Sequence, residues 1–197
     1  MSTRPPVLVL GSASPRRREL LAMLVDDFAV VVAGIDEIRR PDESPCRFAE
    51  RLAAEKAVAV ASSCRQSPVL AADTVVAIDD ECLGKPASPD QARTMLARLS
   101  GRVHQVHTAA ALLMPESAPE MAISTSQVHF AELPGAWIDR YLASGEPMDK
   151  AGAYAIQGQA AAWIRHLSGS YSGVMGLDLF STAKLLRAAA LLPDWAE

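Results

Sequence analysis

The amino-acid sequence predicts a mixed α/β fold, and three observations lead to this prediction. Short apolar runs typical of buried strands alternate with stretches whose apolar residues recur every three to four positions. Three of those stretches begin with Ser-Pro, an N-cap residue followed by a favoured first helical residue. Half of the 197 residues are apolar and 21% are charged, which allows a core in one domain or two small lobes. We expect a single domain spanning residues 1–197.

The first half of the chain is predicted to begin with a strand, a tight loop and a helix. The predicted strands of this half are residues 7–10, 28–32 and 69–78. Helices are predicted to begin at Ser14-Pro15, Ser44-Pro45 and Ser88-Pro89. Ser88 and Gln91 form a capping-box pattern, and Gly101 supplies the stop of that third helix. Asp79-Asp80 is interpreted as a hairpin turn.

The second half is predicted to be a hairpin followed by a helix, a loop and a closing helix. The predicted elements are strands at 103–113 and 124–130 joined by a loop at 114–120, a helix at 136–143, a functional loop at 146–158, a strand-like run at 163–167 with a turn at 168–170, and a helix at 179–192. Trp137, Trp163 and Trp195 are interpreted as packing residues. His104 and His107, three apart on a strand, point to opposite faces and are poor joint metal ligands.

Charge and cysteine content exclude several classes of function. The formal net charge of −4 gives no overall attraction to nucleic acid or an anionic membrane, so phosphate binding must come from local Lys and Arg clusters. Cys46, Cys64 and Cys82 are odd in number and lack C-x-x-C spacing, against a disulfide framework or structural zinc site. The initial apolar run is too short for a signal peptide or membrane span. We expect a cytoplasmic protein.

An arginine cluster follows the first predicted strand. Ser12 lies in the loop, and Arg16, Arg17 and Arg18 lie in the first helical turn. Backbone N–H groups and guanidinium groups at such a point can bind an anion, whereas cations are mildly disfavoured at a helix N-terminus without one. A solvated basic turn is the alternative. No G-K-[ST] follows, so this is not a Walker A loop.

Two charged residues interrupt otherwise apolar elements. Lys56 belongs to the stripe Phe48, Leu52, Lys56 and Val60 of the second helix, where its ammonium must reach solvent or meet a negative partner. Asp73 interrupts the strand at 69–78, which is costly unless the carboxylate is paired or bound to metal.

Lys85 and Gln157 are further candidates. Lys85 lies between Gly84 and Pro86, where an exposed loop lysine and a phosphate ligand are equally compatible. Gln157 lies among small residues that let backbone approach a ligand, and its amide offers one donor and one acceptor, which match the imide edge of uracil or thymine. A tight structural loop is the alternative for this segment.

These residues resemble the Maf-like nucleotide pyrophosphatases. The matching motifs are residues 12–17, 55–57, 72–74, 84–86, 99–101 with 104–108, and 149–158. The resemblance runs from about residue 7 to residue 186, in order and with natural spacing. It implies a mixed α/β structure with an elongated sheet, helices on its faces and two lobes around a central cleft, similar to inosine triphosphatases. It also implies a homodimer.

The resemblance further implies roles for individual residues. Asp73 would activate water, Lys56 and Lys85 would contact the triphosphate, and Arg16 and Arg17 would line the same site. Glu37 matches an acidic position near the metal, so Glu37 and Asp73 would hold Mg²⁺ or Mn²⁺. Asp178 stands where the family usually has Pro, outside the triphosphate motifs.

Substrate preference is also suggested by the resemblance. Arg16, Thr74 and Gln157 match the positions that determine specificity, and this combination is similar to the subgroup acting on dTTP and UTP. The expected reaction is hydrolysis of a pyrimidine nucleoside triphosphate to the monophosphate and pyrophosphate. A non-catalytic nucleotide-binding regulator of cell division is the alternative. A nucleic-acid binder is disfavoured by the net charge and by the lack of aromatic residues among the arginines.

Overall fold

A seven-stranded mixed sheet organises the computed structural model, which describes residues 8–192. Its strands are β1 (Val9–Leu10), β2 (Ala29–Val30), β3 (Val69–Ile78), β4 (Glu81–Leu83), β5 (Val103–Leu113), β6 (Glu120–Phe130) and β7 (Ile164–Ser168). The order across the sheet is β2-β1-β3-β5-β6-β7, and β4 pairs with β3. β1 runs parallel to β2 and β3, while the pairs from β3 to β7 are antiparallel. The predicted mixed α/β class is therefore confirmed.

Six α-helices and three short 3₁₀ segments cover the sheet within the described residues. The helices are α1 (Pro15–Leu21), α2 (Pro45–Ala61), α3 (Pro89–Leu99), α4 (Gly135–Ala143), α5 (Tyr171–Met175) and α6 (Leu179–Ala188). The 3₁₀ segments are Glu146–Asp149, Ala151–Ala153 and Gln159–Trp163. Parallel pairing of β1 with β3 requires a long crossover, and α2 supplies its helix. No helix in this part of the chain is both long and apolar enough to cross a membrane.

The predicted helix starts are confirmed by their caps. The hydroxyls of Ser14, Ser44 and Ser88 each accept a hydrogen bond from the backbone N–H three residues later. The prediction of a capping box at Ser88 is wrong in one hydrogen bond. The Gln91 side chain accepts from the N–H of Ala87, one residue before the N-cap.

Some elements are shorter in the structure than predicted. The strand at 28–32 contains only Ala29–Val30, and the closing helix predicted at 179–192 ends at Ala188. Strand β6 instead begins earlier than expected, at Glu120, and α5 was not predicted. Apolar composition continues past the points where backbone pairing stops, so composition overestimates these lengths. Val7 and Trp195 lie outside the described residues.

The long strand β3 passes from one part of the core to another. Ala71 and Val75 pack under α2, and Ala72 packs on the opposite face with α1 and α6. From Val76 onward the strand belongs to a separate cluster formed with α3 and α4. Asp73 lies at this change, and the central cleft between the two lobes opens there.

Candidate active site

A cavity of about 360 Å³ lies where the lobes meet, and it brings together side chains from distant parts of the chain. Every site residue predicted from the sequence lines it: Ser12, Arg16, Arg17, Glu37, Lys56, Asp73, Thr74, Lys85 and Gln157. They come from the loop before α1, helix α1, the connection after β2, helix α2, strand β3, the segment after β4 and the segment after residue 153. The volume is within the range of small-molecule sites.

Lys56 joins two of the three acidic residues that line the cavity. Its Nζ lies 2.6 Å from Oδ1 of Asp73 and 2.6 Å from Oε1 of Glu37. Lys56 and Asp73 are 8% and 5% exposed, so the charge in the apolar stripe of α2 meets a negative partner rather than reaching solvent. The two carboxylates consequently lie side by side, each with a second oxygen that does not contact Lys56.

The pKa of Glu37 is lowered despite partial burial. Burial opposes its ionisation, but the hydrogen bond and charge of Lys56 outweigh burial, with further help from Lys85 and Arg17. Glu37 is therefore held as a carboxylate at the mouth of the cavity.

Arg17 is held by groups that the chain brings from far away. Its Nε donates to the carbonyl of Gly176 at 2.8 Å, and its terminal nitrogens donate to the hydroxyls of Ser12 at 3.3 Å and Thr74 at 3.2 Å. Burial lowers the pKa of the Arg17 guanidinium, while the charges of Asp73 and Glu37 oppose that effect. A partly buried guanidinium whose charge is not fully compensated attracts an anionic ligand.

Two predicted ligands are free within the described residues, and a third is weakly paired. Lys85 and Gln157 are exposed and have no hydrogen-bond or ion-pair partner in this part of the chain. Arg16 makes a long ion pair with Asp149, at 3.9 Å, across the cavity. Surface pairs of this kind are weak, so Arg16 can exchange Asp149 for a ligand at little cost. These three side chains can therefore bind a ligand that enters the cavity from solvent.

Comparison with known proteins identifies the family. The family model described as "Maf-like protein" matches residues 7–189. The chain belongs to the Maf-like family. Among its relatives, the "dTTP/UTP pyrophosphatase" of Xanthomonas oryzae pv. oryzae (strain MAFF 311018) is 49% identical over 186 residues, covering 92% of this chain and 98% of the relative. A protein of the same name from Ralstonia nicotianae is 46% identical, covering 94% and 95%.

Solved structures outside this close group share the fold. A HAM1 protein from Coxiella burnetii has a TM-score of 0.52 at 18% identity, covering 92% of this chain and 98% of its own. The Ham1 protein from Staphylococcus aureus has a TM-score of 0.51 at 14% identity, covering 93% and 97%. The inosine triphosphatase-like architecture expected from the sequence is thus confirmed.

The donor set of this Maf-like cavity fits a hard divalent cation that arrives with phosphates. Mg²⁺ is usually held by one or two carboxylates together with water and substrate phosphates, rather than by a complete protein cage. Glu37 and Asp73 supply two adjacent carboxylates, each with one oxygen not used by Lys56. Residues 8–192 contain no cluster of three or more His, Cys, Asp or Glu that could hold a metal without such help.

Two of the four histidines, His104 and His107, and two of the tryptophans are structural in this Maf-like chain. His104 Nε2 lies 2.8 Å from the Tyr154 hydroxyl, and burial lowers the pKa of His104 to about 4. Neither His104 nor His107 lines the cavity. The rings of Trp137 and Trp163 pack against each other in the core of the α3 and α4 lobe, as predicted.

Two backbone carbonyl groups that hold side chains at the site were not predicted from the sequence. Gly176 accepts hydrogen bonds from Arg17 and, at 3.4 Å, from Thr74. Thr108 lies opposite Thr74 on β5, with its hydroxyl 2.7 Å from the carbonyl of Gly173. Backbone carbonyls occur at every residue, so no local signal distinguishes these two.

Proposed function

We propose that this protein hydrolyses dTTP and UTP to the corresponding monophosphate and pyrophosphate. The observation that carries the proposal is the Lys56-bridged carboxylate pair facing three cationic side chains, Lys85, Arg16 and Arg17, in one cavity. A general base opposite cations suits attack of water on a polyphosphate. The relatives named dTTP/UTP pyrophosphatase support the same reaction and substrates.

Asp73 is proposed as the residue that prepares the attacking water. Its Oδ1 is bound to Lys56, which leaves Oδ2 to accept a proton from water as the water oxygen attacks the α-phosphorus. The new P–O bond forms as the bond between the α-phosphorus and the bridging oxygen breaks. That oxygen leaves with the electron pair as part of pyrophosphate.

The cations of the cavity are proposed to bind and neutralise the phosphate chain. Arg17 is preorganised by its three protein contacts, whereas Lys85 and Arg16 are free to adjust. Preorganised positive charge lowers the barrier most where negative charge develops. Mg²⁺ or Mn²⁺, held by Glu37 and Asp73, would polarise the phosphate oxygens when bound.

Base selection is proposed to involve Gln157, with Arg16 and Thr74 shaping the site around it. The carboxamide of Gln157 presents one hydrogen-bond donor function and one acceptor to the cavity. The imide edge of uracil and thymine requires that pairing, because it combines an N–H with carbonyl groups. Cytosine and adenine present a different edge, because neither has a ring N–H beside a carbonyl.

The oligomeric state, the cellular location and the class of partner are also proposed. We infer a homodimer of single-domain subunits spanning residues 1–197 that acts in the cytoplasm, on small nucleotides rather than nucleic acid or membranes. Membership of the Maf-like family and the acidic net charge of −4 support this inference.

A substrate panel tests the proposed function. Purified protein is incubated with each common nucleoside triphosphate and either Mg²⁺, Mn²⁺ or EDTA, and released pyrophosphate is measured. We expect release from dTTP and UTP with metal, little from purine nucleotides and none with EDTA. Binding of dTTP without release would instead support the alternative, a non-catalytic nucleotide-binding regulator of cell division. Orthophosphate as the product would contradict attack at the α-phosphorus.

A further inference from the structure

The short segment that contains Gln157 is held by hydrogen bonds on both sides of that residue. On one side, the backbone N–H of Ala155 donates to the hydroxyl of Tyr141 at 3.2 Å. On the other, the N–H of Gln159 donates to Oε1 of Glu146 at 3.1 Å. Tyr141 and Glu146 are themselves joined, because the Tyr141 hydroxyl donates to the same Oε1 at 2.9 Å. We call this pair the Tyr141–Glu146 tether.

The direction of each hydrogen bond in the tether is fixed. Two backbone N–H groups can only donate, and a carboxylate can only accept. The Tyr141 hydroxyl must therefore accept from Ala155 and donate to Glu146. Burial raises the pKa of Tyr141, so its proton remains in place for this role. The ring is fully buried and stacks on Trp137, which fixes where the hydroxyl lies.

Gly158 fits closely against the tether. A Cβ at position 158 would overlap the carboxylate of Glu146. The backbone of Gly158 has φ −100° and ψ −155°, an extended conformation that other residues adopt. A larger residue at position 158 would therefore displace the Glu146 carboxylate from the tether, whereas the backbone conformation itself does not demand glycine. Glu146 therefore contacts the residue that directly follows Gln157.

Gln157 has no other restraint on its orientation. Its side chain is exposed to the cavity and makes no hydrogen bond to the described residues, so the backbone of residues 155–159 decides where the carboxamide points. Neither Tyr141 nor Glu146 lines the cavity. The tether can affect a bound base only through the segment that it holds.

We infer that Tyr141 and Glu146 are positioning residues for base selection, because they hold the Gln157 carboxamide against the imide edge of a uracil or thymine base. This inference rests on the proposed function. Loss of the tether lets the segment move, and a misplacement of about 1 Å at a positioned group can cost about 100-fold. The loss appears mainly in KM and in discrimination among bases, because Asp73 and Lys56 are untouched.

Four variants test the inference through the ratio of kcat/KM for dTTP to kcat/KM for CTP, whose base lacks the imide N–H. We expect Tyr141→Phe and Glu146→Ala to lower this ratio by about 10- to 100-fold, chiefly by raising KM for dTTP. Glu146→Gln retains an acceptor oxygen and should keep most of the ratio. Leu96→Val in α3 is the matched control, since it perturbs the same core without removing a tether bond or the ring that stacks on Tyr141.

Two double variants separate positioning from a general loss of stability. In a Gln157→Ala background, Tyr141→Phe should not change the base ratio further, because the tether acts through Gln157. In a Glu146→Ala background, Gly158→Ala should not lower the ratio further, because the carboxylate that it would overlap is absent. Thermal unfolding confirms that each variant is folded at the assay temperature.

The outcomes separate this inference from the proposed function. If the unmodified protein releases no pyrophosphate from dTTP or UTP, the proposed function fails. If it does, and folded Tyr141→Phe and Glu146→Ala keep the base ratio, only the tether is rejected. An equal loss of the ratio in Leu96→Val, or additive losses in the double variants, would likewise overturn it.

Discussion

The ammonium of Lys56 lies 2.6 Å from the carboxylate of Asp73, and both side chains are almost completely buried. Lys56 is in helix α2, and Asp73 is in strand β3, 17 residues later. A buried charge is tolerated only when it is paired, so each residue explains the presence of the other. Both residues also line the cavity, so the pair places its charges beside the candidate site.

Removal of the Asp73 charge should abolish most turnover without unfolding the protein. We expect Asp73→Asn to lower the rate of pyrophosphate release by about 10² to 10⁴, because the amide cannot take a proton from water. Lys56 would keep its contact with Glu37, so dTTP binding should persist. Kinetic and calorimetric measurements on the same preparation check both expectations. Full activity of the folded variant would exclude the role of Asp73 as the base.

Removal of the Lys56 charge should affect stability as well as activity. Lys56→Met leaves Asp73 buried without its partner, and we expect the free energy of unfolding to fall by about 3 to 5 kcal/mol. The double variant Lys56→Met with Asp73→Asn should recover part of that loss and remain inactive. Urea denaturation measures the difference. Equal stability of the single and double variants would show that the charge of Asp73 is not the cause.

Substitution of Glu37 should weaken the response to metal. We expect Glu37→Gln to raise the Mg²⁺ concentration for half-maximal activity by about tenfold or more, since one of two candidate carboxylate ligands loses its charge. The side chain is 55% exposed, so stability should change little. A titration of activity against Mg²⁺ measures the shift, with Glu116→Gln in the β5–β6 connection as control. An unchanged metal requirement would remove Glu37 from the metal site.

Substitution of Gln157 should change the ranking of substrates. Gln157→Glu replaces a donor and an acceptor by an acceptor-only group, which cannot donate to a pyrimidine carbonyl. We expect kcat/KM for dTTP to fall relative to purine nucleoside triphosphates. The substrate panel described above measures the ranking, and an unchanged order would reject the assignment.

Acid should weaken the connection that leads from Glu37 to α2. Arg51 of α2 bonds both carboxylate oxygens of Glu43 and the carbonyl of Ile38, next to Glu37. The hydrogen bond from Arg51 lowers the pKa of Glu43 from 4.5 to about 2. Because the folded-state pKa is depressed, this stabilisation is present above about pH 4.5 and is lost as the pH falls toward about 2.

A Glu43→Gln variant measures that contribution. We expect it to be less stable than the unmodified protein by about 1 to 3 kcal/mol at neutral pH. The difference should shrink between about pH 5 and pH 2, as Glu43 becomes protonated. Urea unfolding across this range provides the comparison. A difference independent of pH would show that the charge of Glu43 is not responsible.

The sequence by itself determined the elements that depend on neighbouring residues. The caps at Ser14, Ser44 and Ser88 could be predicted because each involves only the next three residues. Lys56 and Asp73 could be singled out because a charge in an apolar pattern requires a partner. The sequence could not say that each was the partner of the other.

The tertiary structure alone decided which residues meet. Arg17 reaches the carbonyl of Gly176, 159 residues away, and Glu146 holds the segment that presents Gln157. Contacts of this kind use groups that are common along the chain, such as carbonyls, amides and hydroxyls. Their identity is set by how the long strands carry two lobes to a shared cleft, and that arrangement depends on the packing of the whole chain rather than on any local pattern.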